Sequence, residues 1–582
     1  MNRREFNRLL VAGAVAGIIP KTGFALSQVK PNYNIPQKGN ARLLHITDCH
    51  AQLNPVYFRE PDVNLGFHKA LGRTPHIVGE AFLKKNNLSK NSLEAHAFTY
   101  LNFNSAAKEY GKVGGFSHLS TLVKKLRGLA GGENNSLLLD GGDTWQGSAT
   151  AYWSRGKDMV QAANLLGVDI MTGHWEFTYQ DEEVFSNIDD FEGEFLAQNI
   201  KLTEDALFEG KQTHDEDTGH VFKPYIIREI NGQRLAIIGQ AFPYTPVANP
   251  KRFIPDWTFG IRNQDLQELI NAIKVDEKPA AIILLSHNGM DVDLKLASVV
   301  TGIDFILGGH THDGVPTPVS VKNSLGTTIV TNAGSNGKFL GVLDLNLQDG
   351  GLKGYEYRLL PVFSNFIEPD KQMNALIDEI RKPHLDALQE ELTVTETLLY
   401  RRGNFNGTFD QLICDALRHE LNAQIALSPG FRWGTTVLPG EAVTFENVMD
   451  QTCITYPETY ARDMLGKEIK AILEDVADNL FHPDPFYQQG GDMVRVGGMN
   501  YICDPMAKPG NRISNMTLDS DKAIMPNKTY KVSGWATVGS KAPGKPIWDV
   551  VASYLRSQKT INISHLNSPV LKNIDNNPGI VL

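Results

Sequence analysis

Cysteine is scarce in this chain. Four occur in 582 residues, Cys49, Cys414, Cys453 and Cys503, with no CxxC pair and no zinc-ribbon spacing. A disulfide framework and a thiolate metal cluster are therefore not what organises it. An excess of positive charge is also missing: 56 Lys and Arg stand against 66 Asp and Glu, a net charge of −10. That argues against nucleic acid or an anionic membrane as the main partner. Beyond the first residues no apolar run approaches the length of a membrane span. There is no internal repeat and no low-complexity tract. What is present is ordinary for a globular protein, 41% hydrophobic and 21% charged residues, in a chain too long for one core, so two domains are expected.

The N-terminus has three parts. Asn2-Arg3-Arg4-Glu5-Phe6 precedes an apolar run from Leu9 to Ile19, and small residues follow near Ala25–Ser27. A basic start, short apolar middle and small-residue end predict an export signal over 1–27. The arginine pair followed by x-Phe resembles a twin-arginine signal, which carries folded proteins to the periplasm.

Apolar runs then alternate with helical patterns. Leu43–Thr47, Ser136–Leu139, Val168–Met171, Ala280–Leu285 and Ile303–Leu307 read as buried strands, while Phe116–Leu129 and Met159–Leu166 have helical spacing. This predicts an α/β catalytic domain over 40–367. One long polar helix, interrupted by Pro383, forms a linker over 368–394, and a second α+β domain occupies 395–582. The stretch from about 54 to 107 is mixed and polar, a long excursion of the kind that walls a site or meets a partner.

Five of these segments carry Asp or His where a strand ends: Asp48-Cys49-His50, Asp140-Gly-Gly-Asp143, Gly173-His174-Trp175-Glu176, Ser286-His287-Asn288 and Gly308-Gly309-His310-Thr311-His312. Each is unremarkable alone, since a lone Asp after a strand usually caps a turn. Together they predict a site for two divalent cations. Asp143 bridges; Asp48, His50 and His312 complete one metal, and His174, His287 and His310 the other. The glycines before Asp143 allow close backbone approach. Asp140, Thr311 and Asn288 are candidate hydrogen-bond supports for the ligands. By strand alternation the Cys49 thiol points away from its neighbours' side chains.

The order D-x-H, G-D, G-[NH]-x-E, S-H, G-H-x-H resembles the calcineurin-like metallophosphoesterases, and within them the 5′-nucleotidase branch with its C-terminal substrate-binding domain. The resemblance covers nearly the whole chain after the signal. It implies a two-sheet sandwich flanked by helices with the metals at one edge. The family's usual Gly-Asn-His-Glu reads here Gly173-His174-Trp175-Glu176, so Trp175 stands where the candidate general acid would be. An indole cannot protonate an alkoxide, whereas a sulfur leaving group departs unprotonated. With Asp48-x-His-Ala-Gln52, Asp143-Thr-Trp-Gln-Gly147 and Gln489-Gly-Gly-Asp-Met-Val-Arg495, the departure resembles the SoxB thiosulfohydrolases. That resemblance implies two manganese ions, with zinc or iron as alternatives on ligand chemistry alone. It also implies a SoxYZ carrier protein that presents Cys-S-sulfonate on a flexible arm and from which sulfate is released. A 5′-nucleotidase or cyclic phosphodiesterase, and a non-catalytic anion-binding protein, are the competing expectations.

In the C-terminal part, Arg432 of Phe431-Arg432-Trp433-Gly434 occupies the place of the nucleotidase arginine that meets substrate, and its planar fork suits a sulfonate. Trp433, Asp492 and Arg495 are the further substrate-binding candidates. No clear aromatic pair for stacking a nucleobase is evident, although Phe431, Trp433 and Tyr487 are present.

Overall fold

The computed structural model describes residues 30–539 and 541–581; the expected signal at 1–27 lies outside them. Ala41–Ile46 is buried at every position because it is central. It pairs in parallel with Ser136–Asp140 on one side and antiparallel with Phe339–Gln348 on the other. The sheet runs, edge to edge, Gly351–Pro361, Phe339–Gln348, Ala41–Ile46, Ser136–Asp140, Ile170–Met171, Glu194–Phe195. A second six-stranded sheet runs Val319–Lys322, Thr327–Asn332, Phe305–Gly308, Ala281–Ser286, Gln233–Gln240, Tyr225–Ile230.

Alternation along the strands builds the layers. Leu43, Leu137, Leu139 and Ile170 of the first sheet meet Leu235, Ile237, Ile283, Leu285 and Leu307 of the second in one inner core. The opposite face of the first sheet, with Leu44, Ile46 and Leu138, packs against the helices Phe116–Leu129 and Lys157–Leu166. Ile282, Leu284 and Ile306 face Asn263–Asp276 and Met290–Val299 on the far side of the second. This is the two-sheet sandwich flanked by helices. Cys49 packs with Leu44 and Ile46 in the outer core, and all four cysteines are free and buried.

The expected long helix at 368–392 is shorter and broken. Lys371–Arg381 is helical, Lys382–His384 is a 3-10 turn containing Pro383, Leu385–Leu388 is one further turn, and Glu391–Thr395 is already a strand. Proline removes a backbone donor and clashes with the preceding turn, which ends the helix there. The excursion at 54–107 is not structureless: Gly79–Lys85, Leu93–Phe98 and Phe103–Tyr110 are helices. The C-terminal α+β domain is built on a four-stranded sheet with Ile425–Ser428 and Thr529–Trp535 at its centre, covered by the helices Thr408–Glu420 and Ile547–Arg556. Among the described residues no helix is long and apolar enough to cross a membrane.

Candidate metal centre

The strands Ala41–Ile46, Ser136–Asp140, Ile170–Met171, Ala281–Ser286 and Phe305–Gly308 all deliver their C-terminal ends to one edge of the sandwich. The loops beyond them lock together through the backbone: the Asp48 and His50 amides donate to the Gly142 and Asp143 carbonyls, each at 2.8 Å. Asp48, His50, Asp143 and His312 bring one ligand atom each within 4.8 Å of one another, and so do Asp143, His174, His287 and His310. All seven expected ligands are thus brought together and all are buried, and Asp143 belongs to both groups. Its Oδ2 lies 3.1 Å from His287 Nε2, 3.3 Å from His174 Nδ1 and 3.8 Å from His50 Nε2.

Two properties of the cluster call for cations. Asp48, His50, Asp143, His310 and His312 have φ between 45° and 71°. Each such non-glycine residue costs on the order of 1–2 kcal/mol, which persists only where the surroundings impose it. Buried imidazole nitrogens of His50, His174, His287, His310 and His312 also lack a hydrogen-bond partner among the described residues. Burial pushes His50 down to about 4 and His310 and His312 well below the usual imidazole range, leaving neutral rings able to ligate. His287 is the exception. Burial opposes its charge, but the Asp143 and Asp48 carboxylates raise it to about 10, so the two carboxylates call for a positive charge at this point. A buried Asp/His set of this composition suits a binuclear metal site.

The supporting groups are partly those expected. The Gly141 carbonyl, 2.6 Å from His287 Nδ1, accepts its proton and leaves Nε2 for a metal. Asp140 accepts from the Gly142 amide, and burial pushes it up to about 8. Asn288 and Thr311 do not hold a ligand side chain: Asn288 bonds to Asp293 and Gln240, and the Thr311 hydroxyl accepts from the Met290 amide. The group that sequence reasoning left without a role is Glu176. Its carboxylate accepts from the amides of Asp143, Thr144, Trp145 and His174, holding two ligand loops at once. Its place three residues beyond Gly173 in the motif was the available signal.

The C-terminal domain closes over the cluster. Trp433 sits 5.5 Å from the His50 ring, and Trp175, 5% exposed, lies edge-on to Phe431 and Trp433 at 5.4 and 5.1 Å. The Trp175 amide donates to Asp143 Oδ1 at 2.7 Å, which ties the indole to the bridging carboxylate. These aromatics, Arg432 and four of the ligands line a cavity of about 160 Å³. Arg432 donates to the Gly491 carbonyl at 2.9 Å, and its buried Nη1 has no hydrogen-bond partner among the described residues.

Asp492 lines an adjoining, larger cavity with Arg432, and Arg495 does not. Asp492 is a hub for Arg432 and Arg495 at 3.4 and 3.6 Å, and it accepts from Asn404. Arg495 is fully buried, donates to the Gly403 carbonyl and lines no cavity described here, so it braces the site instead of meeting substrate. Its charge is paired inside the domain with Asp492 and Asp410, at 3.6 and 3.4 Å.

Gly490 has φ +80°, and a Cβ there would lie 2.0 Å from His310 Nε2. Gly490→Ala should therefore displace His310 and weaken metal binding roughly 10–100-fold, as loss of a ligand's support does. Metal titration of the purified variant checks this; unchanged affinity would contradict the contact.

A larger cavity of about 1220 Å³ shares His310, Arg432, Gly490 and Gly491 with the small one. The excursion, through Asn64 to Ala70 and Arg73 to His76, walls one side of it.

Comparison with known proteins fits this geometry. Residues 392–550 match the family model described as 5′-nucleotidase, C-terminal domain. The solved structure of sulfate thiohydrolase SoxB from Thermus thermophilus, in complex with glycerol, superposes with a TM-score of 0.85 at 36% identity, covering 93% of this chain and 98% of that one. The trifunctional nucleotide phosphoesterase protein YfkN of Bacillus subtilis is 27% identical over 71% of this chain, which spans 30% of that protein's length. The 5′-nucleotidase of Rattus norvegicus is 26% identical over 72% of this chain and 76% of its own length.

Proposed function

Because the chain belongs to the 5′-nucleotidase branch of the calcineurin-like metallophosphoesterases and fits SoxB within it, we propose that it is a dimanganese hydrolase that releases sulfate from a cysteine-S-sulfonate group on a SoxYZ-type carrier. We further propose that it acts in the periplasm, exported folded by its twin-arginine-type N-terminus.

One observation carries the reading. Among the described residues, the cavity over the metal cluster is lined by no titratable side chain except four of the ligands and Arg432. At the place suited to a proton donor stands Trp175. Two cations held by the seven ligands would lower the pKa of a bound water and take up charge on the sulfonate oxygens. Arg432, whose Nη1 has no partner among the described residues, binds the sulfonate and orients it toward the cluster. Trp175, Phe431 and Trp433 exclude bulk water, which strengthens both interactions. Water adds to sulfur, the S–S bond breaks, and R–S–SO₃⁻ with water gives R–SH, sulfate and one proton. The leaving thiolate needs no donor at the moment of cleavage. Delivery of a protein-borne group is supported by the larger cavity that opens onto Arg432 and His310.

The curated relatives favour a nucleotidase as the second reading. Phe431 and Trp433, however, stack on each other at 4.0 Å and leave no slot between them for a base. The test is sulfate release from S-sulfonated carrier against phosphate release from AMP by the manganese-loaded enzyme. The proposal expects the first to exceed the second in kcat/KM by at least ~10³-fold, the scale of one missing general acid. The reverse order would make the protein a nucleotidase.

A further inference from the structure

Beside the loop that carries His50 lies a third cavity of about 550 Å³, lined by none of the seven ligands. Gln52, Thr435 and Asp450 line it, and they form a chain across the domain interface. Gln52 Nε2 donates to the His50 carbonyl and to Asp450 Oδ1, each at 3.3 Å. Thr435 Oγ1 donates to Asp450 Oδ2 at 3.3 Å. Gln451 Nε2 donates to the Thr435 carbonyl at 2.8 Å. Asp450 therefore holds two segments that meet at the metals: the backbone of His50, and the loop that lays Trp433 on the His50 ring.

The held backbone is one that would relax if released. His50 and Ala51 are consecutive non-glycine residues in the left-handed region, at φ +45° and +54°. Asp450 and Gln52 are 6% and 5% exposed, so water competes weakly for their bonds. Neither bonds to a ligand side chain.

We propose that Asp450 is a positioning residue that, through Gln52 and Thr435, fixes His50 and Trp433 so that the Asp48–His50–His312 half of the cluster keeps its geometry. The other half, His174, His287 and His310, has its own anchors in Glu176 and the Gly141 carbonyl, and its link to this chain runs through the shared Asp143, whose carbonyl accepts from the His50 amide. The inference rests on the two-cation reading but not on the substrate. Burial and the neighbouring Glu446 push Asp450 above the usual carboxylate range; asparagine keeps its shape and the oxygen that accepts from Gln52, and its amide can donate to the rotatable Thr435 hydroxyl.

The test is titration of the full-length apo protein with Mn²⁺ alone, by calorimetry and electron paramagnetic resonance. Asp450→Ala and Gln52→Ala should each weaken one of the two ions about 10–100-fold and leave the other as in the parent. The double variant should be no worse than the weaker single, because both break one chain. Asp450→Asn should restore near-parent binding. Unchanged binding of both ions, equal weakening of both, or an Asp450→Asn variant as poor as Asp450→Ala would each overturn the proposal. Absence of sulfate release by the parent enzyme would sink the proposed reaction and leave this titration unaffected.

Discussion

Asp143→Asn should abolish sulfate release and leave the protein unable to keep two ions at stoichiometric metal. The substitution is isosteric, so the fold is retained and the lost quantity is charge. Asp143 is the carboxylate that belongs to both halves of the cluster, with Oδ2 3.1 Å from His287 and 3.3 Å from His174. Two unit charges 4 Å apart interact by roughly 4 kcal/mol at an effective dielectric of 20, and the repulsion between divalent ions is larger still. An amide cannot offset it. Sulfate release should fall by at least ~10³-fold, consistent with removal of the group that makes the site binuclear. Metal analysis joined to a sulfate assay checks both parts. Two retained ions with near-parent turnover would remove Asp143 from the bridging role.

Glu176→Gln should be the most destabilising conservative change in the catalytic domain. The native carboxylate accepts four backbone N–H groups, with Oε1 serving Thr144 and Trp145, and Oε2 serving Asp143 and His174. Burial and the Asp143 charge push Glu176 up while those amides pull it down. Glutamine places an NH₂ group against two of the donors and leaves them buried and unpaired. At about 1–3 kcal/mol for each of the two stranded donors, a loss of about 2–6 kcal/mol is expected in chemical denaturation of the apo protein. Metal affinity should fall with it, because both loops that present Asp143 and His174 lose their anchor. Stability equal to the parent's would show that the four amides find other partners and that Glu176 is not the organiser of these loops.

How much of this was legible in the sequence depended on the kind of signal. The strands that carry ligands are pure apolar runs ending in Asp or His, a pattern that survives without knowledge of the fold. The helix Phe116–Leu129 could be read to the residue because its apolar spacing is regular and Gly115 stands before it. The edge strand Gly351–Pro361 and the helix Ile547–Arg556 were not read. The first is half-exposed with weak alternation, and the second is apolar on a broad face with no capping side chain. The seven ligands were legible because metal binding needs particular side chains. Glu176 as an anchor, the Gly490–His310 contact and the Asp450–Gln52 chain were not, because each depends on which distant segments the fold brings together and no local pattern marks it. Arg495 shows the converse. An arginine in a glycine-rich loop reads as an anion contact, and only the fold reveals that Gly403, Asp410 and Asp492 already occupy it.

The central claim is that this site cleaves without donating a proton to the leaving group. The most direct measurement is kcat/KM for the manganese-loaded enzyme on a series of S-aryl thiosulfates whose thiols differ in acidity. With Trp175 over the cluster and, among the described residues, no titratable side chain but the ligands and Arg432 lining the small cavity, log kcat/KM should fall steeply as the pKa of the departing thiol rises. A flat dependence would mean that a proton is delivered in the transition state, and the account of Trp175 would be wrong.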